Sequence, residues 1–206
     1  MSYAWCKETN KRQNIEDLLL MRFIARSILF LIGWRMDTKN SAHQRCVLIA
    51  APHTSNWDFL MMMLFSAAFG VKTKWMGKKN LFMPPFGFLF RALGGVPVKR
   101  DRKEKLVATM VDLFSKRDNL MLAVPAEGTR GYTDYWKSGF YHIALGAKVP
   151  ILPTFLDYGQ KIGGFGKPIN VTGCIKTDMQ TLRDFYKPYI GKYPKNSGPI
   201  RLREED

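Results

Sequence analysis

Cys46-Val47-Leu48-Ile49-Ala50-Ala51 runs directly into Pro52-His53-Thr54-Ser55-Asn56 and then into Trp57-Asp58-Phe59-Leu60-Met61-Met62-Met63. Six consecutive small or apolar residues read as a short strand buried on both faces. The second apolar run continues to Phe69, a length that suits a helix, and it is apolar nearly all round, so the helix is expected to be buried. A strand, a short polar loop and a helix make the opening of an α/β unit. The loop between them carries the polar side chains His53, Thr54, Ser55 and Asn56, and Asp58 follows at the helix start.

The same alternation continues outward from this unit. Strands are expected at 71–76, 96–98, 120–124 and 151–155. Helices are expected at 84–93, 103–116, 139–146 and 178–190, the second of these with Leu106, Val107, Met110, Leu113 and Phe114 on one side. Alternation of this kind predicts an α/β domain over residues 45–206, with a largely parallel central sheet flanked by helices. Open α/β sheets bind ligands beyond the carboxyl ends of their strands, which directs attention to the loops after residues 51 and 124.

Residues 1–44 have a different character. Residues 1–13 are polar and lack the pattern of a secretory leader. Residues 18–34, LLLMRFIARSILFLIGW, are too short and too charged for a comfortable spanning helix. On a helix Arg22 and Arg26 share a face, with Gly33 roughly in line, and Leu18, Leu19, Phe23, Ile24, Leu29 and Phe30 fill most of the remaining circumference. An apolar helix with a thin cationic stripe fits a segment lying in a bilayer interface, and it also fits a helix packed on the core.

With 206 residues, 46% hydrophobic and 24% charged, the chain is neither disordered nor a multispanning membrane protein. The 32 Lys and Arg against 17 Asp and Glu leave a formal charge of +15, which favours polyanionic partners: nucleic acid, anionic lipid or phosphorylated small molecules. Residues 72–105 hold ten basic and two acidic residues around an apolar stretch containing Phe82, Phe86, Phe88 and Phe90. Cys6, Cys46 and Cys174 show no metal or redox spacing and read as reduced thiols. No cluster of His and carboxylates has metal-ligand spacing, so neither a metal nor another cofactor is expected.

His53 with Asp58 five residues later can form a dyad in which the carboxylate fixes the imidazole tautomer and frees the other ring nitrogen to accept a proton. Taken alone, the pair also reads as a loop histidine bonded to backbone and a carboxylate at a helix start. The second loop, Glu127-Gly128-Thr129-Arg130, offers close backbone approach, a hydroxyl and a planar cation suited to phosphate.

The two loops together resemble the glycerolipid acyltransferases of the 1-acylglycerol-3-phosphate acyltransferase type, whose members carry a His, four residues and an Asp, followed downstream by Glu-Gly-Thr-Arg. Gly94-Gly95-Val96-Pro97-Val98-Lys99-Arg100 is similar to that family's block ending in a phosphate-binding Arg. Val149-Pro150-Ile151-Leu152-Pro153 is similar to its apolar fourth block, and Lys137-Ser138-Gly139 stands where members often place Lys-x-Gly. The likeness covers about residues 45–170. Pro52 stands where members commonly have Asn, Ala126 where Pro is usual, Gly131 where Ser is usual, and Pro97-Val98-Lys99 departs from the second block.

The resemblance implies an O-acyltransferase in which His53, oriented by Asp58, deprotonates a glycerol hydroxyl that attacks an acyl thioester directly. It implies that Arg130 and Arg100 bind the acceptor's phosphate, that Glu127 positions the acceptor or fixes Arg130, and that Gly128 and Thr129 complete the acceptor site, with amides near Gly128 stabilising the oxyanion. The implied partners are acyl-CoA or acyl carrier protein as donor, a lysophospholipid as acceptor, foremost 1-acylglycerol-3-phosphate or else another lysolipid such as an aminolipid precursor, and an anionic membrane surface at the cytoplasmic face of the cell membrane. A groove for the acyl chain lined by Met61, Met62 and Met63 is one reading of that run, and core packing is the other. Two further classes remain open on the sequence. A hydrolase would use the same dyad on water. A nucleic-acid-binding protein would explain the charge, although no zinc finger, helix-turn-helix spacing or RNA-recognition aromatic motif is present.

Overall fold

The computed structural model describes residues 2–40, 43–98 and 103–206, with side chains from residue 16 onward in the first helix and from residue 105 in the helix that begins at 103. Seven strands, β1 (Arg35–Asp37), β2 (Arg45–Ala50), β3 (Thr73–Lys78), β4 (Gly95–Val98), β5 (Leu120–Val124), β6 (Ile151–Asp157) and β7 (Ile162–Phe165), form one sheet in the order β1-β7-β6-β2-β5-β3-β4. β2 to β6 run parallel, whereas β7 is antiparallel to β6 and parallel to β1. This is the expected mostly parallel α/β sheet, with a short reversed edge that the sequence pattern does not announce.

Side chains alternate along the central strands and bury both faces. Cys46, Leu48, Met121, Ala123 and Leu152 face α2 (Trp57–Phe69) and α3 (Gly87–Ala92), meeting Phe59, Met62, Phe69, Phe82 and Phe90. Val47, Ile49, Leu120, Leu122, Val124 and Ile151 face α4 (Lys103–Ser115), α5 (Gly139–Ala147) and α6 (Ile175–Tyr186), meeting Met110, Phe114, Phe140, Ile143, Met179 and Leu182. The continuous apolar runs of β2 and β5 follow from this double covering.

Several boundaries differ from the sequence reading: α3 covers only Gly87–Ala92 of the expected 84–93, β6 runs on to Asp157 and α6 ends at Tyr186. Two further differences have a local cause. β3 begins at Thr73 because Gly70, at φ 73°, ends α2 and the N–H groups of Gly70 and Val71 cap its carbonyls at Ala67 and Ser66. Helix α6 begins at Ile175 because the buried Asp178 carboxylate accepts from Tyr141 Oη, Thr172 N and Thr172 Oγ1, which anchors its first turn.

Helix α1 (Ser2–Leu31) packs a narrow face on α2. Ala25 and Leu29 are buried there with Met61, Phe65 and Ala68, Leu29 at 1% exposure. The cationic stripe points the same way: Arg26 Nε donates to Ala68 O at 3.1 Å, and the Arg22 side chain lies over Gly70. Both guanidinium groups therefore sit at the carboxyl end of α2, where unpaired carbonyls and the helix dipole favour cations. The apolar circumference is left outside, with Leu19, Leu20, Met21, Phe23 and Leu31 exposed and Phe30 at 81%. Among the described residues no helix is long and apolar enough to cross a membrane. The four phenylalanines of the basic region divide: Phe82, at 4% exposure, is core with Phe90 packed beside it, whereas Phe86 and Phe88 are exposed, the latter at 73%.

Candidate active site

The site arises from the order of three adjacent parallel strands. Ile49 of β2 is in register with Val124 of β5, and Ala50 of β2 with Thr154 of β6. The chain leaving β2 therefore lies between the chain leaving β5 and the chain leaving β6 at one edge of the sheet. Those exits carry His53, Glu127 and Tyr158. Tyr186 supports the junction from α6, donating its hydroxyl to Ile49 O at 2.9 Å and Thr154 O at 3.0 Å.

The loop after β2 folds back on the first turn of α2. His53 Nδ1 lies 3.0 Å from Asp58 Oδ2, and the same oxygen accepts the N–H groups of Thr54 and Ser55 at 2.9 Å each. The other oxygen, Oδ1, accepts Tyr158 Oη at 2.7 Å. Burial opposes ionisation of Asp58, but the donors from His53, Tyr158 and Ser55 outweigh it and hold the carboxyl below its ordinary value. An ionised Asp58 can only accept, so Nδ1 carries the proton and Nε2 is the acceptor nitrogen. Nε2 makes no hydrogen bond among the described residues, and the imidazole side chain is 23% exposed against 6% for Asp58. The geometry is that of an oriented base with an open face.

Glu127 ties the second loop to the first. Its Oε2 accepts the main-chain N–H of His53 at 3.0 Å, and burial raises its carboxyl to about 7 despite that bond. It faces the histidine loop, and no bond joins it to Arg130. Gly128 adopts φ 71°, and a Cβ there would stand 2.9 Å from Lys137 Cγ, so only glycine lets the Lys137 side chain cross the loop. The main-chain N–H of Lys137 donates to Ala126 O at 2.6 Å, which brings Lys137-Ser138-Gly139 beside the motif. The Gly128 N–H is engaged with Pro125 O at 3.1 Å and is not open to an oxyanion in this conformation. Thr129 is exposed, its Oγ1 accepting Gly131 N, and the Arg130 side chain is exposed with no partner among the described residues. Arg100 lies outside the described residues.

Two features at the site have no motif in the sequence. Tyr158 is one. The other is the segment after α6: Tyr193 N donates to Thr54 Oγ1 at 3.1 Å, Gly191 packs against Thr54 and Pro52, and Lys192 Nζ sits 4.8 Å from the centre of the exposed Trp57 ring. Only the adjacency of β2 and β6 would have pointed to Tyr158. Of the methionine run, Met62 lines an apolar crevice of about 40 Å³ between α2 and the sheet, with Leu48, Ala50, Phe65, Phe69 and Phe165. Cys46 is buried in β2, where desolvation pushes its thiol up to about 12, and Cys174 is exposed at the start of α6. Among the described residues no group of three or more His, Cys, Asp and Glu is placed to hold a metal ion.

The chain is 31% identical over 149 residues to the 1-acyl-sn-glycerol-3-phosphate acyltransferase of Haemophilus influenzae, covering 63% of this chain and 60% of that protein. It is 29% identical over 150 residues to the human 1-acyl-sn-glycerol-3-phosphate acyltransferase beta, covering 68% and 53%. It thus spans between half and two thirds of the length of these curated relatives. The crystal structure of the 1-acyl-sn-glycerophosphate (LPA) acyltransferase PlsC from Thermotoga maritima shares the fold, with a TM-score of 0.55 at 15% identity, over 83% of this chain and 79% of that one. The family model described as Acyltransferase matches residues 35–157, which hold β1 to β6 and both motif loops. The chain belongs to the acyltransferase family, in the superfamily of the 1-acylglycerol-3-phosphate and lysophospholipid acyltransferases.

Proposed function

We propose that the protein transfers an acyl chain from a thioester to the free hydroxyl of a lysophospholipid, with 1-acylglycerol-3-phosphate as the acceptor. The observation that carries this reading is the 3.0 Å contact between His53 Nδ1 and Asp58, in a loop whose His53 main-chain N–H is bonded to Glu127 of the Glu127-Gly128-Thr129-Arg130 motif. Nε2 takes the proton of the acceptor hydroxyl as its oxygen attacks the thioester carbonyl, and Asp58 stabilises the imidazolium that forms. The tetrahedral centre collapses with cleavage of the carbon–sulfur bond, and the departing thiolate recovers the proton from His53. Cys46 and Cys174 lie away from the dyad loops, which favours direct attack over an acyl-enzyme.

Arg130 and Arg100 would supply the cations for the acceptor's phosphate, with Gly128 and Thr129 shaping the loop that carries Arg130. Glu127 acts as the tether of that loop to His53. The donor is acyl-CoA or an acyl carrier protein, both of which bring anionic groups to a chain of charge +15. Residues 1–44 serve as the membrane-interfacial segment: the exposed apolar side of α1 would enter an anionic bilayer from the cytoplasmic face, with Phe86 and Phe88 of the basic region as further contacts. Relatives named as 1-acyl-sn-glycerol-3-phosphate acyltransferases support the choice of acceptor. The test is to incubate the purified protein with a panel of lysolipids, including an aminolipid precursor, and both donor types, and to identify products by mass spectrometry. Diacylated phosphatidic acid is the expected product. Free fatty acid alone would make the protein a hydrolase.

A further inference from the structure

Among the described residues Tyr158 is the one side chain hydrogen-bonded to the dyad that no motif includes, and its surroundings are built. It lies just after β6, half-buried, with its hydroxyl donating to Asp58 Oδ1 at 2.7 Å. Its main-chain N–H donates to Ile190 O at 2.9 Å, in the segment that also covers Thr54. The ring meets the edge of Trp34, centroid to centroid 5.0 Å with planes at 88°. Trp34 is buried and is tied to α1 through its own N–H, which donates to Leu29 O at 2.8 Å. Burial, reinforced by the bond to Asp58, pushes the Tyr158 phenol far above its ordinary range, so it remains a donor at every working pH.

A carboxylate held through one oxygen can still turn about its Cβ–Cγ bond, because that torsion is broad and two-fold. Oδ2 of Asp58 gathers His53 Nδ1 and two main-chain donors, and Oδ1 is held by Tyr158. Fixing both oxygens fixes the carboxylate plane, and with it the direction of Nδ1–H and of Nε2 on the far side of the ring. The hydroxyl also draws negative charge away from the oxygen that faces the imidazole.

We propose that Tyr158 is a positioning residue of the His53–Asp58 dyad, locking the Asp58 carboxylate through Oδ1, and that Trp34 holds the tyrosine ring in place for that task. The proposal rests on the reading of His53 as the base, and it joins the dyad to α1 through a chain of direct contacts: Leu29, Trp34, Tyr158, Asp58. The ionisable groups that bear on the dyad are Glu127 from the loop after β5, Tyr158 from the turn after β6 and Tyr193 beyond α6, the last acting on Tyr158.

Tyr158→Phe removes one oxygen and leaves the ring against Trp34. If the hydroxyl served only the fold, the thermal transition would fall while the chemistry of the surviving protein stayed the same. A positioning role predicts a kcat about tenfold lower with KM for both substrates unchanged. It also predicts a shift in the His53 titration. With the donor gone, Asp58 bears more charge toward the imidazole, the imidazolium is favoured, and the midpoint moves upward. NMR titration of histidine-labelled wild type and Tyr158→Phe reads this directly, with the His53 signal assigned by its loss in His53→Ala. Trp34→Leu, which leaves the hydroxyl but removes the ring behind it, should lower kcat and move the midpoint in the same direction, and Trp34→Phe should restore both; this pair decides the matter should Tyr158→Phe fail to fold. An unmoved His53 midpoint in folded Tyr158→Phe or Trp34→Leu overturns the proposal. Absence of acyl transfer by the wild type would instead contradict the proposed function, and the titration would still decide the role of Tyr158.

Discussion

The main-chain N–H of His53 donates to Oε2 of Glu127 at 3.0 Å, so the two motif loops, 74 residues apart in sequence, are joined by a partly buried hydrogen bond. The bond exists because β2 and β5 are neighbours and parallel, which brings the exits of the two strands together.

Glu127 should make stability depend on pH. Burial holds its carboxyl at about 7 against an ordinary 4.5. Below about 4.5 both folded and unfolded chains hold the proton. As pH rises from there to about 7 the unfolded chain releases it while the folded one retains it, so stability falls across that window and levels off above it. Glu127→Gln stays neutral and keeps an oxygen for the His53 N–H. Thermal unfolding should show the variant more stable than wild type at pH 8, by on the order of 2–3 kcal/mol, with the two converging near pH 4.5. Asp58 works in the opposite sense but below its ordinary 3.8, outside this window.

Arg130→Ala should act on the acceptor. The side chain is exposed and has no partner among the described residues, so its loss should leave the thermal transition unchanged. Losing a charge-assisted contact to phosphate should raise KM for 1-acylglycerol-3-phosphate by roughly tenfold to a hundredfold while KM for the donor stays put. A fall in kcat for every acceptor, with KM unmoved, would contradict a phosphate-binding role.

Phe23→Glu and Phe30→Glu test the outer side of α1. Both rings are exposed, and the residues that pack on α2 are untouched, so folding should be preserved. Each should weaken partitioning onto vesicles containing anionic lipid by about 2 kcal/mol, roughly thirtyfold, as read by sedimentation. Unchanged partitioning would show that α1 does not carry the membrane contact.

Much of this architecture is legible in the residues themselves. Helix α2 spans Trp57–Phe69 and strand β5 spans Leu120–Val124, as their apolar runs indicate, because Asn56 and Gly70 bound the first and Asn119 and Pro125 the second. The His53–Asp58 pair is legible as well, since a five-residue spacing across a helix start returns the carboxylate to the loop. Strands β1 and β7, at one end of the sheet, are not. Arg35–Asp37 and Ile162–Phe165 are too short for a period, and Gly163 and Gly164 are poor strand formers placed where Phe65 and Asp37 approach too closely for a side chain. The arginine stripe of α1 is visible in the sequence, but its neighbour is not, because the carbonyls at the end of α2 that it meets belong to a segment some forty residues away. Tyr158 is hidden for the same reason: its partner Asp58 is 100 residues distant, and the contact follows from strand order alone.

The central claim is that His53, oriented by Asp58, is the base that activates the acceptor hydroxyl. The most direct measurement is the turnover of purified His53→Ala with 1-acylglycerol-3-phosphate and an acyl thioester, alongside its circular dichroism and thermal transition. The account predicts a folded protein whose kcat is lower by roughly 10²–10⁴-fold. A folded variant that turns over at the wild-type rate would contradict it.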